Sequence, residues 1–189
     1  MASIILVIGF VGMIEAVTLS AGMMDHARRQ TLADQIMNHE IGKLRFNDWT
    51  TISALPTAST AVGVDPLFWP AWKSTSSYAA NNVVAYSGAY YRCILAHTGR
   101  TPPNATYWTA TTTTATTDIF VTQGATFSLT RTVTSPNPVT NIREVNFTVT
   151  WVVTTSRRDS GGSGLTFTYT RSSSAWFGTY GLNLSYQRS

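Results

Sequence analysis

From Met1 to Met24 the only ionisable side chain is Glu15. Within that stretch Ile4, Ile5, Leu6, Val7, Ile8, Phe10, Val11, Met13 and Ile14 leave no polar face. A helix that is apolar all round must sit in lipid or inside a larger assembly. A bilayer span takes about 20 apolar residues, and residues 2–24 supply that length. No Lys or Arg precedes Arg28, so the basic start of a secretory signal peptide is missing. These nine side chains are therefore expected to form the surface of a membrane or filament helix.

Residues 25–46 change character. Ala27, Leu32, Ile36, Ile41 and Leu44 alternate with Arg28, Arg29, Asp34, Glu40 and Lys43, a spacing that fits one helical stripe. No proline occurs before Pro56. The pattern predicts one continuous helix over about 2–46, roughly 65–70 Å long at ~1.5 Å per residue. Its first half is apolar and its second half amphipathic. Such a helix anchors one end and packs the other against a globular head.

Composition sets the class of that head. Charged residues make up 12% of the chain, about half the globular average of roughly 25%. The 31 threonines fall mostly after Thr98, and β-branched residues favour strands. Cys93 is the only cysteine, and His26, His39 and His97 share no metal-ligand spacing, so no disulfide, metal site or cofactor is expected. The net charge of +4 is spread out, with Arg28-Arg29 and Arg157-Arg158 the only adjacent basic pairs. No basic stripe for nucleic acid is present.

Pro56, Pro66 and Pro70 break the chain after the helix, so residues 50–68 read as a linker. Residues 69–109 then hold eight of the 22 aromatics. Val83-Val84-Ala85-Tyr86 and Ala89-Tyr90-Tyr91-Arg92-Cys93-Ile94 flank Ser87-Gly88, the pattern of a hairpin. After a threonine-rich stretch at 111–117, strands are expected over 118–123, 126–134, 145–155 and 165–170. Phe147, Val149, Trp151 and Val153 alternate with Thr148, Thr150 and Thr154, as in an antiparallel sheet with one buried face. Residues 157–162 read as a flexible turn and residues 180–183 as a closing turn. The fold class is α+β: a long N-terminal helix over 1–49, the linker over 50–68, a small all-β module over 69–109, and an antiparallel β head over 110–189.

The run Ala2-Ser3-Ile4-Ile5-Leu6-Val7-Ile8-Gly9-Phe10-Val11-Gly12-Met13 resembles the early helix of type IV minor pilins, especially the pilus-modification group. Arg28-Arg29-Gln30-Thr31-Leu32-Ala33 through Glu40-Ile41-Gly42-Lys43-Leu44-Arg45 resembles their second half-helix. The later layout of Val145-Asn146-Phe147-Thr148-Val149-Thr150-Trp151, a turn and a second strand resembles the antiparallel head sheet of pilins and type II secretion pseudopilins. That family carries a Gly-Phe-Thr-Leu-x-Glu processing site. None lies in this sequence, and Glu15 sits too deep in the apolar run to be the family's glutamate. Either the start is clipped or the chain departs from the family. The resemblance implies a structural subunit that waits in the inner membrane and then joins an extracellular or periplasmic filament. Its partners would be other pilin or pseudopilin subunits, met through the helix.

Residues 69–109 resemble the family 5/12 carbohydrate-binding module, also called the type 3 chitin-binding domain. The shared elements are Trp72, Tyr78, Val83 or Val84, Tyr86-Ser87-Gly88, Tyr91, Pro102-Pro103 and Trp108, with Tyr91-Arg92-Cys93-Ile94-Leu95-Ala96-His97-Thr98 close to a recurrent variant. The resemblance implies binding of chitin or another polysaccharide by exposed rings that stack on sugars. Where chitin-binding members carry neighbouring tryptophans, this chain has Leu95, Ala96 and His97. Trp72, Tyr78, Tyr91 and Trp108 are expected in the module core. Tyr90, Tyr107 and Trp69 are the expected outward rings.

Enzyme chemistry has no support in the sequence. Ser160-Gly161-Gly162-Ser163-Gly164 lacks the strand–serine–helix setting of a nucleophile elbow, no phosphate-cradling loop occurs, and no paired carboxylates stand out. Two expectations of function remain. One is a non-enzymatic filament subunit that displays the small module. The other is a membrane-anchored carbohydrate-binding adhesin of the bacterial surface.

Overall fold

In the computed structural model the described residues are 2–135, 141–158, 164–179 and 184–186; the side chains of 2–9, 156–158 and 184–186 lie outside that description. The expected turn over 157–162 and closing turn over 180–183 fall largely or wholly outside it. Among the described residues two α-helices are present, α1 (Ala2–Arg45) and α2 (Trp49–Ser53). The strands are β1 (Thr60–Val62), β2 (Ser77–Tyr78), β3 (Val83–Tyr86), β4 (Ala89–Cys93), β5 (His97–Thr98), β6 (Trp108–Ala110), β7 (Phe120–Thr122), β8 (Ala125–Thr134), β9 (Ile142–Arg158), β10 (Gly164–Gly178) and β11 (Leu184–Tyr186). The fold is α+β: a long N-terminal helix packs on an antiparallel sheet, with small separate sheets beside it.

α1 runs unbroken because nothing in it stops a helix. Lys43 and Arg45 in its last turn suit the negative end of the helix dipole. The Asp48 side chain then accepts from the Thr51 N–H at 2.9 Å and caps α2. The sheet runs β1-β8-β9-β10-β11, and β7 pairs with β8 beside β1. All its pairings are antiparallel. α1 lies over β9 and β10.

The core forms where the helix stripe meets the inner sheet face. Ala33, Ile36, Met37, Ile41 and Leu44 pack on Phe127, Leu129, Val133, Val145, Phe147, Val149, Trp151, Ala175 and Phe177. Ile36, Ile41 and Leu44 match the expected stripe, whereas Ala27 is exposed and Leu32 only half-buried. The buried set 33, 36, 37, 41 and 44 follows the 3.6-residue period of a straight helix more closely than the expected one.

Two stretches differ from expectation. β10 reaches Gly178 instead of ending near 170, because Ser172, Ser173 and Ser174 hide the alternation that resumes at Ala175 and Phe177. Its pairing with β9 continues through Gly178↔Ile142. Residues 50–68 are no plain linker: they hold α2, strand β1 and a short 3-10 turn (Pro66–Phe68). The threonine-rich 111–117 stretch is mostly exposed, as its lack of a packing pattern suggests, and touches the body at Thr114, whose Cβ would lie 2.5 Å from a Cβ on Gly63.

The small sheets pair β2 with β5 and order β3-β4-β6. Ser87 (φ 49°) and Gly88 (φ 77°) turn the β3–β4 hairpin, both at positive φ as a two-residue type I′ turn requires. The hairpin serves two cores at once. Val84, Cys93 and Trp108 form a small core of their own, while Val83 joins the main one. The Ile119 N–H donates to the Asn81 carbonyl at 2.8 Å and stitches the small sheets to the chain entering β7.

Candidate functional site

Among the described residues, 10–25 of α1 form a continuous exposed surface with many apolar side chains. Every described side chain from residue 10 to residue 25 is exposed, among them Phe10 at 64%, Met13 at 67% and Val17 at 67%. A soluble monomer rarely leaves so contiguous an apolar surface uncovered. Val11 and Ile14 share that exposure. Ile4, Ile5, Leu6, Val7 and Ile8, also expected on this surface, lie in the part of α1 whose side chains are outside the description. Among the described residues no helix is long and apolar enough to cross a membrane.

The three rings expected to face outward behave differently from one another. Trp69 is 5% exposed and belongs to the main core, where its indole N–H donates to the Val64 carbonyl at 2.9 Å. This corrects the expectation of a stacking surface: a ring so buried cannot meet a sugar. Tyr90 is half-buried against the same core, edge-on to Trp69 at 5.7 Å between ring centres. Its ring faces are thus committed more to packing than to solvent. Tyr107 is half-buried, edge-on to His97 at 5.0 Å and under the Arg100 guanidinium at 5.6 Å. The four expected core rings all gather in the small core: Trp108 is buried, and Trp72, Tyr78 and Tyr91 pack around it.

His97 is the member of that core the sequence did not single out. It touches Tyr78 at 5.4 Å, Tyr107 at 5.0 Å and Trp108 at 4.8 Å, centre to centre. Desolvation, then the nearby Arg100 charge, push its pKa below the usual histidine value. It sits opposite Tyr78 in the β2–β5 pair, a pairing that no local sequence period reveals. Cys93 is inert: burial raises its thiol pKa, and the S–H donates to the Leu95 carbonyl at 3.2 Å.

A second cluster joins the end of α1 to the loop after β1. The Lys43 ammonium lies 3.1 Å from Glu40 Oε1 and 3.3 Å from Asp65 Oδ2, and His39 Nε2 lies 3.3 Å from the same Asp65 oxygen. His39, Glu40 and Asp65 bring three potential metal-ligand atoms within 4.8 Å of one another. Lys43 already supplies the cation between the two carboxylates, so the cluster works as an ion-pair brace. Burial alone would raise the Asp65 pKa. The Leu67 N–H, His39 and Lys43 outweigh it and hold the carboxyl below its usual value. Burial likewise opposes the Lys43 charge, and Glu40 and Asp65 together raise its pKa. The only sequence trace of this brace is the spacing of residues 39, 40 and 43 on one helix side; Asp65 is brought in by the fold.

Compared with protein-family models, curated proteins and solved structures, the chain matches none.

Proposed function

We propose that the chain is a non-enzymatic structural subunit of a bacterial envelope filament, of the minor-pilin or pseudopilin kind. The observation that carries this reading is the division of α1. Residues 33–44 bury a stripe on the sheet, while residues 10–25 present apolar side chains with nothing covering them. A helix built this way needs lipid or the helices of other copies around its free half. The inner membrane would hold it before assembly, and the filament afterwards. In the filament the small β module is carried on the head.

The adhesin alternative has less support. Binding by the expected ring stacking requires a free ring, and Trp69 is buried while Tyr90 and Tyr107 are packed on one side.

The test is cross-linking in the native envelope. Val17→Cys, on the free part of α1, is expected to give covalently linked copies on mild oxidation. Asn38→Cys, exposed on the packed part of α1, serves as the control and is expected to give far fewer. A Val17→Cys chain that stays monomeric in the envelope would overturn the filament reading.

A further inference from the structure

Where the small sheets meet the β7–β8 hairpin, the surface folds into a cleft of about 220 Å³. Ligand pockets of drug size run about 300–1,000 Å³, so this one has room for a single substituted ring. Its walls come from two units. Lys73, Ser76 and Asn82 stand on the side of the small sheets, and Thr122 and Gln123 on the side of the hairpin.

The chemistry of these walls is specific. The Asn82 Oδ1 is used locally, accepting from the Ala79 N–H at 2.8 Å. Its amide N–H₂, the Gln123 side-chain amide and the hydroxyls of Ser76 and Thr122 make no hydrogen bond among the described residues. Between them lies apolar surface that includes Val121, which is 41% exposed. Neutral donors and acceptors around an apolar patch match a pyranose, whose C–H face is apolar and whose hydroxyls point outward. A lipid or an aromatic ligand would leave those polar groups unpaired on binding, at a cost.

Charge narrows the choice further. Lys73 is exposed, its ammonium has no ion pair among the described residues, and no carboxylate lines the cleft. A lone cation favours a monoanion. A phosphate dianion would call for more donors than one ammonium, and no arginine lines the cleft. A bare carboxylate would satisfy Lys73 but not the amides and hydroxyls.

We infer that this cleft binds one uronic-acid unit of an acidic polysaccharide, with the carboxylate on Lys73 and the ring hydroxyls on Asn82, Thr122 and Gln123. The site uses none of the rings Trp69, Tyr90 or Tyr107. No residue of α1 lines it, so it and the filament reading are tested separately.

The test uses the full chain in detergent, with D-glucuronate, methyl glucoside and acetate as probes and the side-chain amide signals of Asn82 and Gln123 as the readout. D-glucuronate is expected to shift both signals saturably. Methyl glucoside is expected to bind about 3- to 10-fold more weakly, the size of one charge-assisted contact at an open site. Lys73→Gln, at an exposed position, should remove that difference and leave methyl glucoside binding unchanged. The proposal is overturned by any of three results: no saturable shift with D-glucuronate, acetate binding as well as D-glucuronate, or D-glucuronate binding unaffected by Lys73→Gln.

Discussion

Arg29 on α1 donates two hydrogen bonds, 3.0 and 2.7 Å long, to the backbone carbonyl of Gln123, 94 residues further on. Gln123 (φ 51°) and Gly124 (φ 68°) form the turn between β7 and β8. The guanidinium fork therefore ties the helix to the tip of an edge hairpin, close to the point where α1 leaves the sheet. Arg171 on β10 makes a second tie, 3.4 Å from Asp34.

Arg29→Ala should lower the unfolding free energy by about 1 kcal/mol, the net worth of a hydrogen bond to a charged donor discounted for solvent exposure. Arg29→Lys should recover part of it, since an ammonium cannot reproduce the fork. Urea unfolding of the detergent-solubilised chain measures both. Equal losses in the two variants would show that a point charge recovers nothing, whereas an Arg29→Lys chain as stable as the parent would show that the fork geometry contributes nothing.

Arg92 and Asp118 form the most buried ion pair among the described residues. Asp118 is 3% exposed at its side chain and holds Arg92 through two hydrogen bonds, one of 2.9 Å. It also accepts from the Ala115 N–H at 2.7 Å. The hydrogen bond that Arg92 donates to Asp118, opposed by burial, raises the Arg92 pKa further above its already high value. Arg92→Ala leaves a buried carboxylate without its partner, and the expected loss is about 3 kcal/mol or more. Arg92→Met together with Asp118→Leu should cost clearly less than Arg92→Ala alone. Thermal unfolding of the three variants decides it.

His97 gives the small β module a pH dependence. Its folded pKa is below the unfolded value near 6.5, so the folded state binds fewer protons between the two. Stability is fully present above about pH 6.5. It falls as pH drops below that value and levels off beneath the folded pKa. The slope should appear in amide exchange of β2 and β5, which His97 and Tyr78 join. His97→Phe should flatten it; an unchanged slope in that variant would assign the effect to another group.

Asp65 behaves in the opposite range. Its folded pKa is held below the usual aspartate value, so the brace contributes above about pH 4 and is lost as pH falls through the folded pKa. Asp65→Asn should remove that acid-side slope and loosen the 3-10 turn, whose Leu67 N–H the carboxylate accepts at 3.0 Å. Circular dichroism melts at pH 7 and pH 3 measure the difference.

Trp151 stands at the centre of the main core, 1% exposed and stacked on Tyr169 at 5.6 Å. Trp151→Ala should cost about 3–5 kcal/mol, as for other large truncations in packed cores. Trp72→Ala, half-buried in the small core, should cost less. The comparison is made by chemical unfolding.

The sequence by itself determined the elements whose signal is local. An unbroken helix followed from the absence of proline before Pro56, and its two halves from where charge begins. The inward face of β9 followed from strict alternation at Phe147, Val149 and Trp151. The β3–β4 turn followed from Ser87-Gly88. Each is legible because one residue's neighbours along the chain dictate its conformation or its side. The core role of Trp72, Tyr78, Tyr91 and Trp108 was legible through spacing and resemblance.

Tertiary structure decided what depends on pairing across distance. Trp69 and Tyr90 lie in the aromatic-rich segment, yet pack toward the large core, because the β3–β4 hairpin is wedged between two cores and offers a face to each. The cleft, the His39–Lys43–Asp65 brace and the Arg29–Gln123 tie each combine residues from separate elements. No period or motif brings them together. Burial is a property of which surfaces meet, and those surfaces are assembled only when the helix and the small sheets settle on the main sheet.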